Sequence, residues 1–110
     1  RLVGMQHAFG QMILAPKVSA KEAEAHGMIW RAVPASELRN EAEALAKQLA
    51  TMPAKAIALT KEALNRSLTN DLSNQLEVEN ELQTIAGRSH DYNEGVKAFL
   101  EKRKAEYKGE

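Results

Sequence analysis

Apolar positions recur at steps of three and four along most of the chain, the spacing of helices that each bury one face. Leu2, Met5, Phe9, Met12 and Ile13 line a first segment from Leu2 to Leu14, which Gly4 and Gly10 weaken and Pro16 stops. Ser19-Ala20-Lys21-Glu22 has the form of a capping box, in which hydroxyl and carboxylate each take up an orphan backbone N–H at a helix start. The short helix it opens should close at Gly27, a residue free to make the left-handed turn. Met28-Ile29-Trp30-Arg31-Ala32-Val33, apolar, partly β-branched and closed by Pro34, is the single extended segment and the one strand candidate.

Ser36 is placed to cap a helix that carries Leu38, Ala42, Leu45, Leu49 and Met52 on one face. Pro53 suits the first turn of the next, lined by Ile57, Leu64 and Leu68. After Asn70-Asp71, Leu72, Leu76, Val78, Leu82 and Ile85 predict a further helix that ends near Gly87. Ser89 starts a last one bearing Tyr92, Val96, Phe99, Leu100 and Tyr107. The pattern is therefore mainly α: five substantial helices, one short helix and one short extended stretch at 28–33, with no internal repeat and no linker to mark a boundary.

Composition narrows the classes. A chain of 110 residues fits one ordinary domain, and 44% hydrophobic with 27% charged residues is too apolar for disorder. No unbroken apolar stretch of about 20 residues offers a membrane span. The absence of cysteine removes disulfide scaffolds, thiol nucleophiles and thiolate metal sites. Fifteen bases balance fifteen acids, which argues against the electrostatic attraction that drives nucleic-acid binding. The balance is uneven in detail: Asp71 to Glu81 holds four acids and no base, whereas Lys97 to Lys108 holds five bases against two acids. A short basic end on a neutral chain suits one compact anion better than a polymer.

Catalytic spacings are scarce. There is no glycine-rich phosphate loop and no nucleophile elbow, and His7, His26 and His90 have no partner at metal-ligand spacing. Glu77, Glu79 and Glu81 alternate along a helix, so they form a solvated face rather than a facing acid pair. Trp30 could stack on a ligand, but a single Trp in an apolar stretch reads more readily as core. Phe99 and Lys102 stand three apart in the last helix and would share a face, where a ring could cover a purine and an ammonium pair with a phosphate. The plain alternative sets Phe99 in the core and Lys102 in water. On the residues alone, an enzyme segment and a non-enzymatic helical module that oligomerises or covers a partner's site both stay open.

The segments taken in order add a resemblance. Arg1-Leu2-Val3-Gly4, then Ser19-Ala20-Lys21-Glu22-Ala23 leading to Gly27-Met28-Ile29, then Pro53 before Thr60-Lys61-Glu62-Ala63-Leu64, follow the order of the crotonase superfamily. The stretch from Ser89-His90-Asp91-Tyr92-Asn93-Glu94-Gly95 through Val96-Lys97-Ala98-Phe99-Leu100-Glu101-Lys102-Arg103 closely resembles the terminal signature of its enoyl-CoA hydratases and isomerases.

The resemblance implies that residues 1–110 are the helical C-terminal trimerisation region of a longer protein, without the N-terminal ββα spiral that carries the oxyanion-hole N–H groups. It implies an acyl-CoA or enoyl-CoA thioester as substrate, with coenzyme A part of that substrate and no separate cofactor. It further implies a homotrimer or dimer of trimers, a cytoplasmic setting, and no nucleic-acid or membrane partner. Gly10 stands where hydratases of the family carry their second catalytic glutamate, which puts ordinary two-glutamate hydration in doubt. Gly27 to Trp30 and Gly87 to Tyr92 are most similar to the family's ring-epoxide isomerases of phenylacetate catabolism, although an ordinary hydratase remains the alternative. By the same resemblance, Phe99 and Lys102 reach the adenine and phosphate end of a CoA held by a neighbouring subunit, and the chain alone is expected to be inactive.

Overall fold

The computed structural model describes all of residues 1–110 and contains six helices: α1 Gly4–Leu14, α2 Ala20–Ala25, α3 Leu38–Ala50, α4 Ala54–Ser67, α5 Leu72–Gly87 and α6 His90–Leu100. The mainly α expectation holds, with five longer helices and one short one. The chain divides into two compact units, residues 1–41 and 42–110, with the division inside α3.

In the first unit, α1 stops where Ala15 takes a left-handed conformation, its N–H donating to the Gln11 carbonyl. Pro16 follows and cannot continue a helix. The capping box forms as expected: the Glu22 N–H donates to Ser19 Oγ, and the Ser19 N–H donates to Glu22 Oε2 at 2.8 Å. The Ser19 hydroxyl, donating to Glu22 Oε2 at 2.7 Å, and then the Ser19 N–H hold the Glu22 carboxyl below the usual carboxylate range. At the other end Gly27 has φ +73°. Its N–H meets the Glu24 carbonyl, and the Met28 N–H meets the Ala23 carbonyl at 2.8 Å. That paired closure is the one for which glycine is the default residue.

Residues 28–33 form no strand. They are bends followed by irregular backbone, because a strand needs a ladder partner and no other segment supplies one. Trp30 is not core either: it is 75% exposed, with the Arg31 guanidinium 5.4 Å from its ring centre. Arg31 also pairs with Glu41. The expected cap Ser36 lies instead in the turn before α3, where the Glu37 N–H meets the Pro34 carbonyl.

The second unit is built on α4, α5 and α6. Pro53 caps α4 rather than entering it. Asp71 accepts the Asn74 N–H to start α5, and Ser89 Oγ accepts the Tyr92 N–H to start α6. Leu82, 6% exposed, and Ala98, 2% exposed, are the buried apolar residues. Gln75 ties α5 to α4 by donating to the Ala63 carbonyl at 3.2 Å. Leu64, Leu68, Leu72 and Leu76 are exposed, and Leu64 and Leu76 line a groove of about 690 Å3 between α4 and α5. Glu77, Glu79 and Glu81 are all exposed, with Glu79 at the edge of this groove.

Candidate functional site

Gly10, in the first unit, lies mid-way along α1, and a side chain built on it would meet nothing within 4 Å. The position is open at its Cβ and carries no acid. Nearby in sequence, the spacing had left the histidines isolated, yet the fold brings His7 and His26 together, ring centres 4.1 Å apart. Gln11 Nε2 lies 3.5 Å from His26 Nδ1. Sequence reasoning missed this pair because the contact depends on how the 15–19 connection turns α2 back on α1.

The second unit holds the other candidate residues at the C-terminal end of α6. The helix ends at Leu100, so Tyr107 is not on it and Lys102 lies beyond it. The expected shared helical face of Phe99 and Lys102 is corrected accordingly: a turn, not a helix repeat, relates them. Lys102 has φ +54°, the left-handed region. Its N–H meets the Phe99 carbonyl at 3.2 Å and the Arg103 N–H meets the Ala98 carbonyl at 3.0 Å. This is the same double closure as at Gly27, with a lysine where glycine is the usual choice. A side chain in that conformation costs roughly 1–2 kcal/mol. Phe99 is 82% exposed within this unit, so the core reading of that ring fails.

Residues 101–110 then run back along α6, held by two carboxylates one turn apart. Arg103 donates Nη1 to Glu94 Oε1 at 2.6 Å, Nη2 to Glu94 Oε2 at 2.9 Å and Nε to Glu101 Oε2 at 2.6 Å. Glu94 Oε1 also accepts the Glu106 N–H at 2.9 Å. The Arg103 side chain, then the Glu106 N–H, hold the Glu94 carboxyl down to about 2, and Arg103 is held above its ordinary value in return.

Asp91, 2% exposed, accepts the Lys108 N–H at 2.7 Å and the Gly109 N–H at 2.8 Å, while its own N–H meets the Glu110 carbonyl. Burial pushes the Asp91 carboxyl up, but those two N–H groups and the neighbouring His90 outweigh it, and the net shift is downward. Tyr107 lies over Gly95, its hydroxyl 3.3 Å from where a side chain there would begin. Tyr107, Tyr92, Val96, Phe99 and Pro53 line an apolar groove of about 400 Å3.

The basic surplus read from Lys97 to Lys108 is thus smaller than its count, since Arg103 is spent on Glu94 and Glu101. Lys102 is exposed in the turn after α6, and the ring of Phe99 is exposed on the helix's last turn. The clamp of Glu94, Arg103 and Asp91 escaped the sequence reading. The motif contained all three residues, but no helical period reports a chain that doubles back.

The family model described as Enoyl-CoA hydratase/isomerase matches residues 1–110. Over 109 residues the chain is 43% identical to 1,2-epoxyphenylacetyl-CoA isomerase of Escherichia coli (strain K12), covering 99% of this chain and 42% of that protein. It is also 43% identical, over the same shares, to the "Probable enoyl-CoA hydratase" of Rhodobacter capsulatus. A crystal structure of enoyl-CoA hydratase from Bacillus anthracis superposes with a TM-score of 0.89 at 33% identity, covering 100% of this chain and 43% of that one. The chain spans about two fifths of the length of the curated relatives it matches.

Proposed function

Because the chain belongs to the enoyl-CoA hydratase/isomerase family along its whole length, we propose that the complete protein isomerises an epoxide or a double bond adjacent to a CoA thioester. The observation that carries this reading is Gly10: the position in α1 that by resemblance holds the hydratase glutamate has no group that can move a proton. The likeness to 1,2-epoxyphenylacetyl-CoA isomerase supports it. The thioester enolate would be held by backbone N–H groups supplied from outside these 110 residues, so this segment by itself turns nothing over. Its contribution is to binding. Phe99 covers the adenine and Lys102 pairs with a phosphate of a CoA bound by a neighbouring subunit in a trimer or pair of trimers.

An exposed ammonium–phosphate contact contributes about 1–2 kcal/mol, or roughly five- to thirtyfold in affinity. Lys102→Ala should therefore raise the KM for CoA thioesters by that factor with kcat nearly intact, and leave pantetheine thioesters, which lack the nucleotide, untouched. Equal losses for both substrates would assign Lys102 a structural role. At the other position, Gly10→Glu should create or increase hydration of an enoyl-CoA. A strong hydratase activity already present and unchanged by that substitution would favour the second reading, an ordinary hydratase, which the equal likeness to the Rhodobacter capsulatus protein keeps in view.

A further inference from the structure

A lysine held in the left-handed region at a helix end calls for an explanation, because glycine would close the same turn without strain. Strain of this kind persists only where surrounding structure over-determines the residue, and it is a pointer to function. The over-determination is visible one residue on. Arg103 bridges Glu94, in the second turn of α6, to Glu101, on the near side of the turn, with three donors between 2.6 and 2.9 Å. Lys102 is therefore flanked by two residues joined to each other through one guanidinium. Glu94 is largely shielded, at 14% side-chain exposure, and also accepts the Glu106 N–H, so the clamp fixes the chain on both sides of the turn. The fork geometry matters: a lysine at 103 could not span two carboxylates with the same fixed directions.

From this geometry we infer that Glu94 is a positioning residue, acting through Arg103 to hold Lys102 where its ammonium meets the phosphate end of CoA. The inference rests on the proposed role of Lys102. It adds that the contact is pre-organised by a clamp whose own members do not touch the ligand. Pre-organisation of this kind gains affinity by lowering the ordering cost of a long side chain on its backbone. Other charges face the clamp: Lys97 from α6 draws Glu94 further down, while Glu101 shares Arg103. Asp91 fixes the far end of the returning segment independently, through the Lys108 and Gly109 N–H groups.

The test is a double-mutant cycle in the complete protein, reading the Kd for CoA by calorimetry for wild type, Glu94→Gln, Lys102→Ala and the double variant. Glu94→Gln should weaken binding roughly two- to fivefold, the range of a good exposed Arg–carboxylate clamp. In the Lys102→Ala background it should weaken binding no further, because its effect passes through Lys102. Arg103→Lys, which keeps the charge and loses the fork, should reproduce the Glu94→Gln result and guards against a folding defect peculiar to one variant. Equal loss from Glu94→Gln in both backgrounds, or no loss in either, overturns the positioning role while leaving Lys102 in place. An unchanged Kd for Lys102→Ala overturns instead the reading of Lys102 on which this rests.

Discussion

Lys102 makes opposite demands on stability and on binding, and a glycine at the same position separates them. The residue closes α6 with φ +54°, a conformation that costs a non-glycine residue roughly 1–2 kcal/mol and glycine almost nothing. Replacement by alanine keeps that strain and removes the ammonium. Replacement by glycine removes both, although glycine's greater freedom when unfolded takes back about 0.5–1 kcal/mol. Lys102→Gly should consequently be more stable than Lys102→Ala by about 0.5–1 kcal/mol, or about 1–4 °C in Tm for a protein of ordinary size. Both variants should nevertheless lose CoA affinity alike, by roughly five- to thirtyfold. The assay is paired: thermal unfolding by circular dichroism and Kd for CoA, on the complete protein at matched concentration. If glycine is no more stable than alanine, the left-handed turn stores no strain. If glycine binds CoA as tightly as lysine, the ammonium is not in the site.

Other outcomes follow from the same structure. Leu82→Ala opens a void at one of the few buried apolar positions and should destabilise the second unit by about 2–5 kcal/mol, read by chemical denaturation. Gly27→Ala should destabilise by about 1 kcal/mol, since φ is +73° there and the nearest atom, the Leu2 carbonyl oxygen at 3.5 Å, leaves room for the methyl; Gly10→Ala, in open helix, should stabilise by about 0.5–1 kcal/mol. Glu94 sits well below its unfolded value of 4.5, so the stability it lends is present above that value and drains as pH falls toward about 2, and Asp91, also held below its ordinary value, contributes in the same direction. Protection of the amides of residues 103–110, relative to their intrinsic exchange rates at each pH, should fall over that window, and Asp91→Asn should lower protection at 108–110 already at neutral pH; protection that is flat down to pH 2 would contradict the clamp.

Helices were legible because their apolar spacing and end residues are local: Ser19 and Ser89 cap where expected, α5 starts after Asp71, and Gly27 closes α2 as expected. What misled was tertiary. An apolar run at 28–33 suggested a strand, but pairing requires a second strand that sequence pattern cannot guarantee. Trp30 and Phe99 suggested core, yet both are exposed, because amphipathic helices report which face is apolar and not whether this chain covers it. Tyr107 kept the helical period of α6 by coincidence while the backbone had already turned at Lys102. The site residues fare similarly. Gly10 was legible only through family order and Phe99 with Lys102 through a three-residue spacing, whereas Glu94 and Arg103 are nine residues apart and meet only when the chain reverses.

The most direct measurement of the central claim is a product analysis of the complete protein given, in parallel, an aryl-epoxide CoA thioester and a straight-chain 2-enoyl-CoA. With Gly10 in place of a second acid, the epoxide thioester should be converted to an isomer of unchanged mass, and the enoyl thioester should gain water only slowly. Rapid hydration of the enoyl-CoA with no turnover of the epoxide would contradict the account.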